Sequence, residues 1–454
     1  MTATDPAPRV PASRMPAPRT PGPRTQTAAI TTAAAGQNVI YTVVTTFMLL
    51  YLLQYARFDP GQLAIATTVI AVTRIADAIG DPIVGSLIDM SRTRWGKLRP
   101  FVLFSAAPVA VLTAALFAIP DLAGDGKVLY FAVAYIVWGF VYTFCDVPLW
   151  GLVGSAFPDP LRRTRVVGFM RAFGAISLGL ATLGLPQLAR ALSFAEETTG
   201  EGWSRSVALV AIVGMGLYLL AFFFVRERES VAAQKQLNFR QLFGALFRNT
   251  PLLLVLLGSV LGFGRYIVQA GGAVFAVIAY DDEGLFTLLG AGIIGGLVVA
   301  SFATPALLRI WSARTLAIAC GIGGAIISVL MYLFGYQNIV SVLSFMTLTG
   351  IAIGVFNVLQ PSMIADAVDA AEERTGVRND GISFATLTFT AKVMSAFATL
   401  VFGVVVVIAG YQEGIAVTTP MQDAVWIGMT LVPAVSCLLS AVPFWFYRLP
   451  AQRR

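Results

Sequence analysis

Apolar runs of about 20 residues follow one another along the whole chain, and a run of that length spans the hydrocarbon core of a bilayer as one helix. Twelve can be drawn, near 27–54, 62–88, 100–119, 127–156, 166–188, 205–225, 250–280, 284–308, 313–335, 338–364, 381–409 and 421–446. A backbone polar group left unpaired in lipid costs several kcal/mol, so each run must satisfy its own N–H and C=O groups by coiling into a helix. The composition agrees: of 454 residues, 57% are hydrophobic and 12% charged, half the roughly 25% charge usual in soluble domains. The expected fold is all-α and polytopic, with twelve transmembrane helices.

A net charge of +7 raises the question of nucleic acid, and the placement of the basic residues answers it. Of the 31 Lys and Arg, 23 fall in the two tails and in the loops that follow even-numbered helices. The other loops hold Arg57, Lys127, Arg190 and Arg205, and Arg74, Arg171, Arg265 and Lys392 lie within spans. This is the positive-inside bias, and it places both termini in the cytoplasm of a multi-pass protein of the cell membrane. No nucleic-acid module is legible, so the basic balance reports topology and the expected surroundings are membrane lipid.

A polar connector at 226–249 separates two expected six-helix bundles, 27–225 and 250–447, flanked by cytoplasmic tails at 1–26 and 448–454. Two bundles around a midplane site are the plan of many secondary transporters, and such a chain is expected to work as a monomer. The first 24 residues are rich in Pro, Ala and Arg and have no apolar core, so they read as a disordered tail rather than a signal peptide, with Met15 an alternative start. Absences narrow the chemistry. The chain has no histidine, which removes His-based triads, HExxH metal sites and imidazole relays, and it has no phosphate-binding G-x-x-x-x-G-K-[ST] loop. Cys145, Cys320 and Cys437 stand singly and read as structural thiols. Nothing points to an enzyme or to a cofactor.

Seven charges lie inside the apolar spans: Arg74, Asp77, Asp81, Asp146, Arg171, Arg265 and Lys392. Facing lipid at about 3 kcal/mol each, they would cost on the order of 20 kcal/mol, so they must pair or face a polar cavity. Asp77 and Asp81 are four apart, which puts both carboxylates on one helix face about 6 Å apart along the axis, one turn beyond Arg74. Two such acids resist simultaneous ionisation, and one arginine does not compensate both. They are therefore candidates for binding a coupling proton or small cation, against the plainer reading of packing salt bridges.

The segment "RIADAIGDPIVGSLIDMSRTRWGKLRPF", which carries these residues, resembles the second helix and following loop of the glycoside, pentoside and hexuronide:cation symporters of the major facilitator superfamily. Two further blocks, "YTFCDVPLWGLVGSAFPDPLRRTRVVGFMRAFG" and "ADAVDAAEERTGVRNDGISFATLTFTAKVMSAF", are similar to later segments of that family, in its order and spacing. The resemblance implies a major facilitator fold and cation-coupled symport of a sugar or glycoside, neutral or anionic, with a proton or sodium as coupling ion. It makes Asp77 and Asp81 the cation site, the only place where a metal ion (sodium) is expected, with Thr143 a neutral ligand and Lys392 the balancing cation. It assigns Asp146, Trp150 and Arg171 to the sugar, with Thr388 on the face of Lys392. Those residue types suit a sugar, because a carboxylate and a guanidinium bond hydroxyls and an indole covers a ring face. A packing or interfacial tryptophan is the plainer reading of Trp150.

Departures from the family pattern matter as well. Asn38 replaces an aspartate of melibiose permease, one member of the family, and stays a candidate for bonding sugar hydroxyls through its amide; Asn357 replaces a tryptophan, so the pocket is rebuilt, and Gly80 replaces an asparagine, which favours a proton over sodium. Arg265 lies outside the pattern. It is a candidate for holding an anionic group of the substrate, against the plainer expectation that it snorkels or pairs with an acid near a helix end. At the cytoplasmic edge, Asp89, Arg92, Arg94, Asp366, Asp369, Glu373 and Arg374, together with Arg74 inside the second span, are expected to serve packing and conformational switching. The competing functional readings are a proton-coupled exporter of a hydrophobic metabolite or drug, a lipid carrier and a non-transporting sensor, since fold does not set cargo or direction.

Overall fold

The structure is a computed structural model and describes residues 21–91, 93–122, 125–195, 197–227, 239–280, 284–376, 379–410 and 417–449. Among the described residues every regular element is a helix. The first half contains α1 (Pro23–Gln54), α2 (Pro60–Met90), α3 (Arg99–Leu116), α4 (Gly126–Ala156), α5 (Pro160–Ala191) and α6 (Gly200–Tyr218), the last continued by α7 (Leu220–Phe224). After the short α8 (Phe239–Phe247) come α9 (Thr250–Leu261), a 3-10 turn at Phe263–Tyr266, α10 (Ile267–Tyr280), α11 (Gly284–Leu307), α12 (Ala313–Phe334), α13 (Ile339–Thr375), α14 (Asp380–Ala409) and α15 (Thr419–Phe446).

Ten of the described helices are long and apolar enough to cross a membrane, and the two limbs of α2 together make an eleventh. The run expected as one span over 250–280 is instead in three pieces, α9, the 3-10 turn and α10. Helix α1 begins at Pro23, ahead of the expected boundary at 27, and the connector contains α8.

Local chemistry explains the ends. Asp59 and Gln62 form a capping box that opens α2, the Asp159 carboxylate accepts from Leu161 and Arg162 N–H at the start of α5, and Asn249, Ser312 and Asn338 cap α9, α12 and α13. Proline explains the bend. The limbs of α2, Gly61–Asp77 and Ile79–Met90, meet at 42°, and the ring of Pro82 falls against the carbonyl four residues back, at Ala78. The bend therefore separates Asp77 from Asp81.

In the first half α1 packs on α5 and α6, and α3 on α4 and α6; in the second, α11 packs on α13, and α12 on α13 and α15. The halves meet along two seams, α2 on α14 and α5 on α11. Both seams close on small residues. A Cβ at Gly85 would stand 2.5 Å from the Gly381 carbonyl oxygen, and one at Gly381 would stand 2.4 Å from that of Gly85. Outward faces keep large apolar side chains such as Leu183, Val407 and Ile408 exposed, as a lipid-facing surface requires.

Gly381→Ala should destabilise the protein by about 1–3 kcal/mol through overpacking. Gly403→Ala, on the same helix with nothing within 4 Å, should be neutral or stabilising by up to about 1 kcal/mol. Thermal melting of the two variants in detergent distinguishes them.

Candidate functional site

The bend in α2 sends its two acids to different neighbours. Asp81 is 1% exposed, and its Oδ1 lies 2.8 Å from the Lys392 ammonium on α14, across the seam between the halves. Its Oδ2 has no hydrogen-bond partner. Thr388 stands beside Asp81, yet its hydroxyl donates to the Ala385 carbonyl at 2.9 Å. Asp77 lies against α4, where a Cβ at Gly139 would come within 2.8 Å of its carboxylate. Thr143, one turn further along α4, donates to the Gly139 carbonyl at 3.3 Å. Arg74 acts on Asp77 and on the Tyr135 hydroxyl. The Lys392 ammonium acts electrostatically on Asp77 and Asp146 as well as on Asp81, so one cation links three acids.

Asp146 is reached from α1, though by Gln37 rather than by Asn38. Gln37 Nε2 donates to Asp146 Oδ1 at 2.7 Å and to the Tyr142 hydroxyl at 2.8 Å. Asn38 turns about 100° away from Gln37, as successive helical residues do. Its amide packs against Gly174 and donates to the Ala34 carbonyl of its own helix at 2.8 Å. One turn after Asp146, Trp150 carries the Arg171 guanidinium over its ring at 4.4 Å from the centroid. Arg171 Nε also donates to the Asn357 carbonyl on α13 at 3.2 Å, and the Tyr266 hydroxyl donates to Asn357 Oδ1 at 3.3 Å. The cluster thus draws residues from α1, α2, α4 and α5 on one side and from the broken span, α13 and α14 on the other.

Arg265 does not snorkel. It is 5% exposed, donates through NH2 to Ser440 Oγ at 2.8 Å, and lies 4.0 Å from the centre of the Phe356 ring, while Nε and NH1 have no partner. Its described contacts are with the packing of α13 and α15.

One end of the bundle is tied across the two halves. The Asp89 carboxylate accepts from the Gly381 and Ile382 N–H groups at 3.0 and 2.8 Å, covering the unpaired donors at the start of α14. Arg163, wholly buried, forks onto Asp366 and Asp369 of α13, the latter at 2.7 Å. Glu227 accepts from three consecutive N–H groups, those of Lys97, Leu98 and Arg99, at 2.8–2.9 Å, and pins the start of the connector to α3. Burial pushes the Glu227 carboxyl above the usual carboxylate range, against the pull of those N–H groups. Arg94 stacks on Trp95, Arg374 donates to the Arg248 carbonyl at 3.4 Å, Glu373 is exposed, and Arg92 lies outside the described residues. A cavity of about 790 Å³, lined by Gln241, Asn249, Arg374 and Ser383 among others, lies at this same end, away from the Asp81 cluster.

Gln37, Tyr142, Arg163, Tyr266 and Glu227 were not singled out by residue type or pattern. For Arg163 a signal existed, since it stands in an arginine-rich loop opposite an acid-rich one.

The chain matches the family described as MFS/sugar transport protein over residues 29–451. It is 26% identical to the inner membrane symporter YicJ of Escherichia coli, covering 90% of this chain and 88% of the relative. Identity to the glucuronide carrier protein homolog of Escherichia coli is 27%, covering 91% and 90%, and to the isoprimeverose transporter of Lactiplantibacillus pentosus 26%, covering 91% and 86%. In shape it is similar to the major facilitator superfamily transporter FucP in the outward conformation (TM-score 0.67, 11% identity, 94% and 99% of the two chains). It is likewise similar to an outward-facing bacterial homologue of the iron transporter ferroportin (TM-score 0.65, 14% identity, 94% and 98%). At those identities the structural likeness establishes the fold alone. The chain belongs to the MFS/sugar transport protein family, the glycoside, pentoside and hexuronide:cation symporters of the major facilitator superfamily, and is a membrane transporter rather than an enzyme.

Proposed function

We propose that this symporter couples a proton, taken up on Asp77, to movement of a sugar or glycoside bound at Asp146, Trp150 and Arg171, with Lys392 linking the two sites. The observation that carries the reading is the contact of Lys392 with Asp81, made by an ammonium that also acts on Asp77 and Asp146. A proton on Asp77 removes one of the two acids that Lys392 acts on without touching, and this frees the ammonium's field for the other, the sugar-site acid. Because the linkage is reciprocal, cargo at Asp146 favours the protonated state of Asp77 by the same factor. Sodium fits less well. It needs several converging oxygens, whereas the two acids face different helices, Thr143 is turned to its own backbone and Gly80 supplies no side chain.

In the sugar site the Gln37 amide holds one oxygen of Asp146 and leaves its carboxylate able to accept from hydroxyls. Arg171 covers one face of Trp150, so a sugar ring stacking on that face displaces the guanidinium toward its own hydroxyls or carboxylate. The relatives named for a glucuronide carrier and for a sulfoquinovose importer make anionic sugars natural members of a test panel.

The alternating bodies in this reading are 27–225 and 250–447, twelve crossings in all, in the cell membrane with both termini cytoplasmic. The end tied by Asp89, Arg163 and Glu227 is then the cytoplasmic one, and the structure is the outward-facing state of a transporter working as a monomer. Opening inward requires the Arg163 fork and the Asp89 cap to release together, while the bodies themselves stay rigid. The exporter and lipid-carrier readings call for a large apolar cavity, whereas the charges of Asp146, Arg171 and Lys392 suit a polar cargo.

Vesicles given neutral glycosides and uronides should accumulate at least one of them under an imposed proton gradient, and Asp77→Asn should abolish that accumulation. Normal accumulation by the variant removes Asp77 from coupling, and accumulation driven by sodium alone names the other ion. Lys392→Met should cost about 3 kcal/mol of stability, because it leaves Asp81 buried and unpaired, and Lys392→Met with Asp81→Asn should recover most of the loss without restoring uphill transport. Melting curves and uptake on the same preparations check this pair. Arg163→Gln should expose the closed end, read as faster labelling of a cysteine placed at Ser383.

A further inference from the structure

The span over 250–280 is broken where its side chains reach the site, and the break is built rather than accidental. Transporter binding sites gather at discontinuous helices near the midplane, because interrupted backbone is tolerated in the membrane only where other groups satisfy it. Here they do. Ser436 and Ser440 of α15 donate to the Leu261 and Gly258 carbonyls at 2.6 and 2.7 Å, and Gly264 N–H donates to Ser436 Oγ at 2.8 Å. Gly264 is required by space: a Cβ there would stand 2.6 Å from the Ser436 side chain and 2.7 Å from the Pro433 backbone.

The 3-10 turn so formed presents two neighbouring residues to two neighbouring residues of α13. Arg265 lies over the ring of Phe356 and is anchored by Ser440; Tyr266 bonds the side chain of Asn357, whose carbonyl receives Arg171 from the other half. We propose that Tyr266, with Asn357, is the second half's wall of the sugar site, selecting a ring hydroxyl, and that Arg265 is a positioning residue that holds the turn on α13. This rests on the sugar-symport reading above. Arg265 has no acid among its described partners, so its grip is a guanidinium stacked on a ring, a geometry that lysine reproduces only in part. Asn357 is where cargo bound to Arg171 in one half is felt by Tyr266 in the other.

The test uses full-length protein in proteoliposomes and the best-transported sugar of the panel with its deoxy analogues, measuring KM and maximal rate. Tyr266→Phe should raise KM about tenfold for the parent sugar at an unchanged maximal rate, and should leave KM unchanged for the analogue lacking the hydroxyl it contacts. Arg265→Met should reproduce that deoxy profile, Arg265→Lys should restore part of it, and Arg265→Met with Tyr266→Phe should be no worse than either alone. Wild-type KM and deoxy profile in Tyr266→Phe overturn the wall. Reduced folded protein with an unaltered profile in Arg265→Met overturns the positioning role. No sugar uptake by the wild-type protein would instead overturn the parent reading, so the two failures are distinguishable.

Discussion

The ion pair between Asp81 and Lys392 is the constraint around which the rest of the structure is arranged. At 2.8 Å, two unit charges attract by several kcal/mol even at an effective dielectric constant of about 20, and each would be costly in a bilayer alone. Desolvation offsets much of that attraction, so the pair contributes little net stability. What it does contribute is register, since one partner sits in each half and their helices meet at the glycine seam just beyond. The same ammonium acts on Asp77 and Asp146, so a change of charge at one is felt at the other without a chain of moving parts.

The end tied by Asp89 and Arg163 works by different physics. Asp89 there satisfies backbone donors at the start of α14, Arg163 neutralises two acids of α13, and Glu227 satisfies three backbone donors at the start of α3. A buried charge is stable there only while its partner is in place, and the glycine seams allow no intermediate separation with good packing. Of these contacts, the Asp89 cap and the Arg163 fork cross between the halves, whereas Glu227 holds the connector to its own half.

Much of this was legible from residues alone, and the failures share a form. Asp77, Asp81, Asp146, Trp150, Arg171 and Lys392 stand together in the structure, having been singled out by charge inside apolar runs and by resemblance. Asn38 was singled out beside Gln37, but it is Gln37 that reaches Asp146. Arg265 was expected near a helix end, yet the span is broken around it and it lies buried against Phe356. Asp77 and Asp81 were expected on one straight face, yet Pro82 bends the helix between them. Asn38 differs only in the direction its side chain takes from a helix correctly located in the chain, whereas Arg265 and the Asp77/Asp81 pair differ because the helix itself is broken or bent.

The division has a physical reason. The membrane imposes its demand segment by segment: a bilayer-length apolar run must be helical, and basic loops stay on one side. That the chain is helical and crosses a membrane many times therefore followed from the sequence by itself. Which residue meets which depends on the rotation of each helix about its axis, about 100° per residue, and on bends such as that at Pro82. Those angles are settled by packing against other helices. Only the tertiary structure could decide that Lys392 sits on Asp81, that Gln37 holds Asp146, and that a broken helix brings Tyr266 to Asn357.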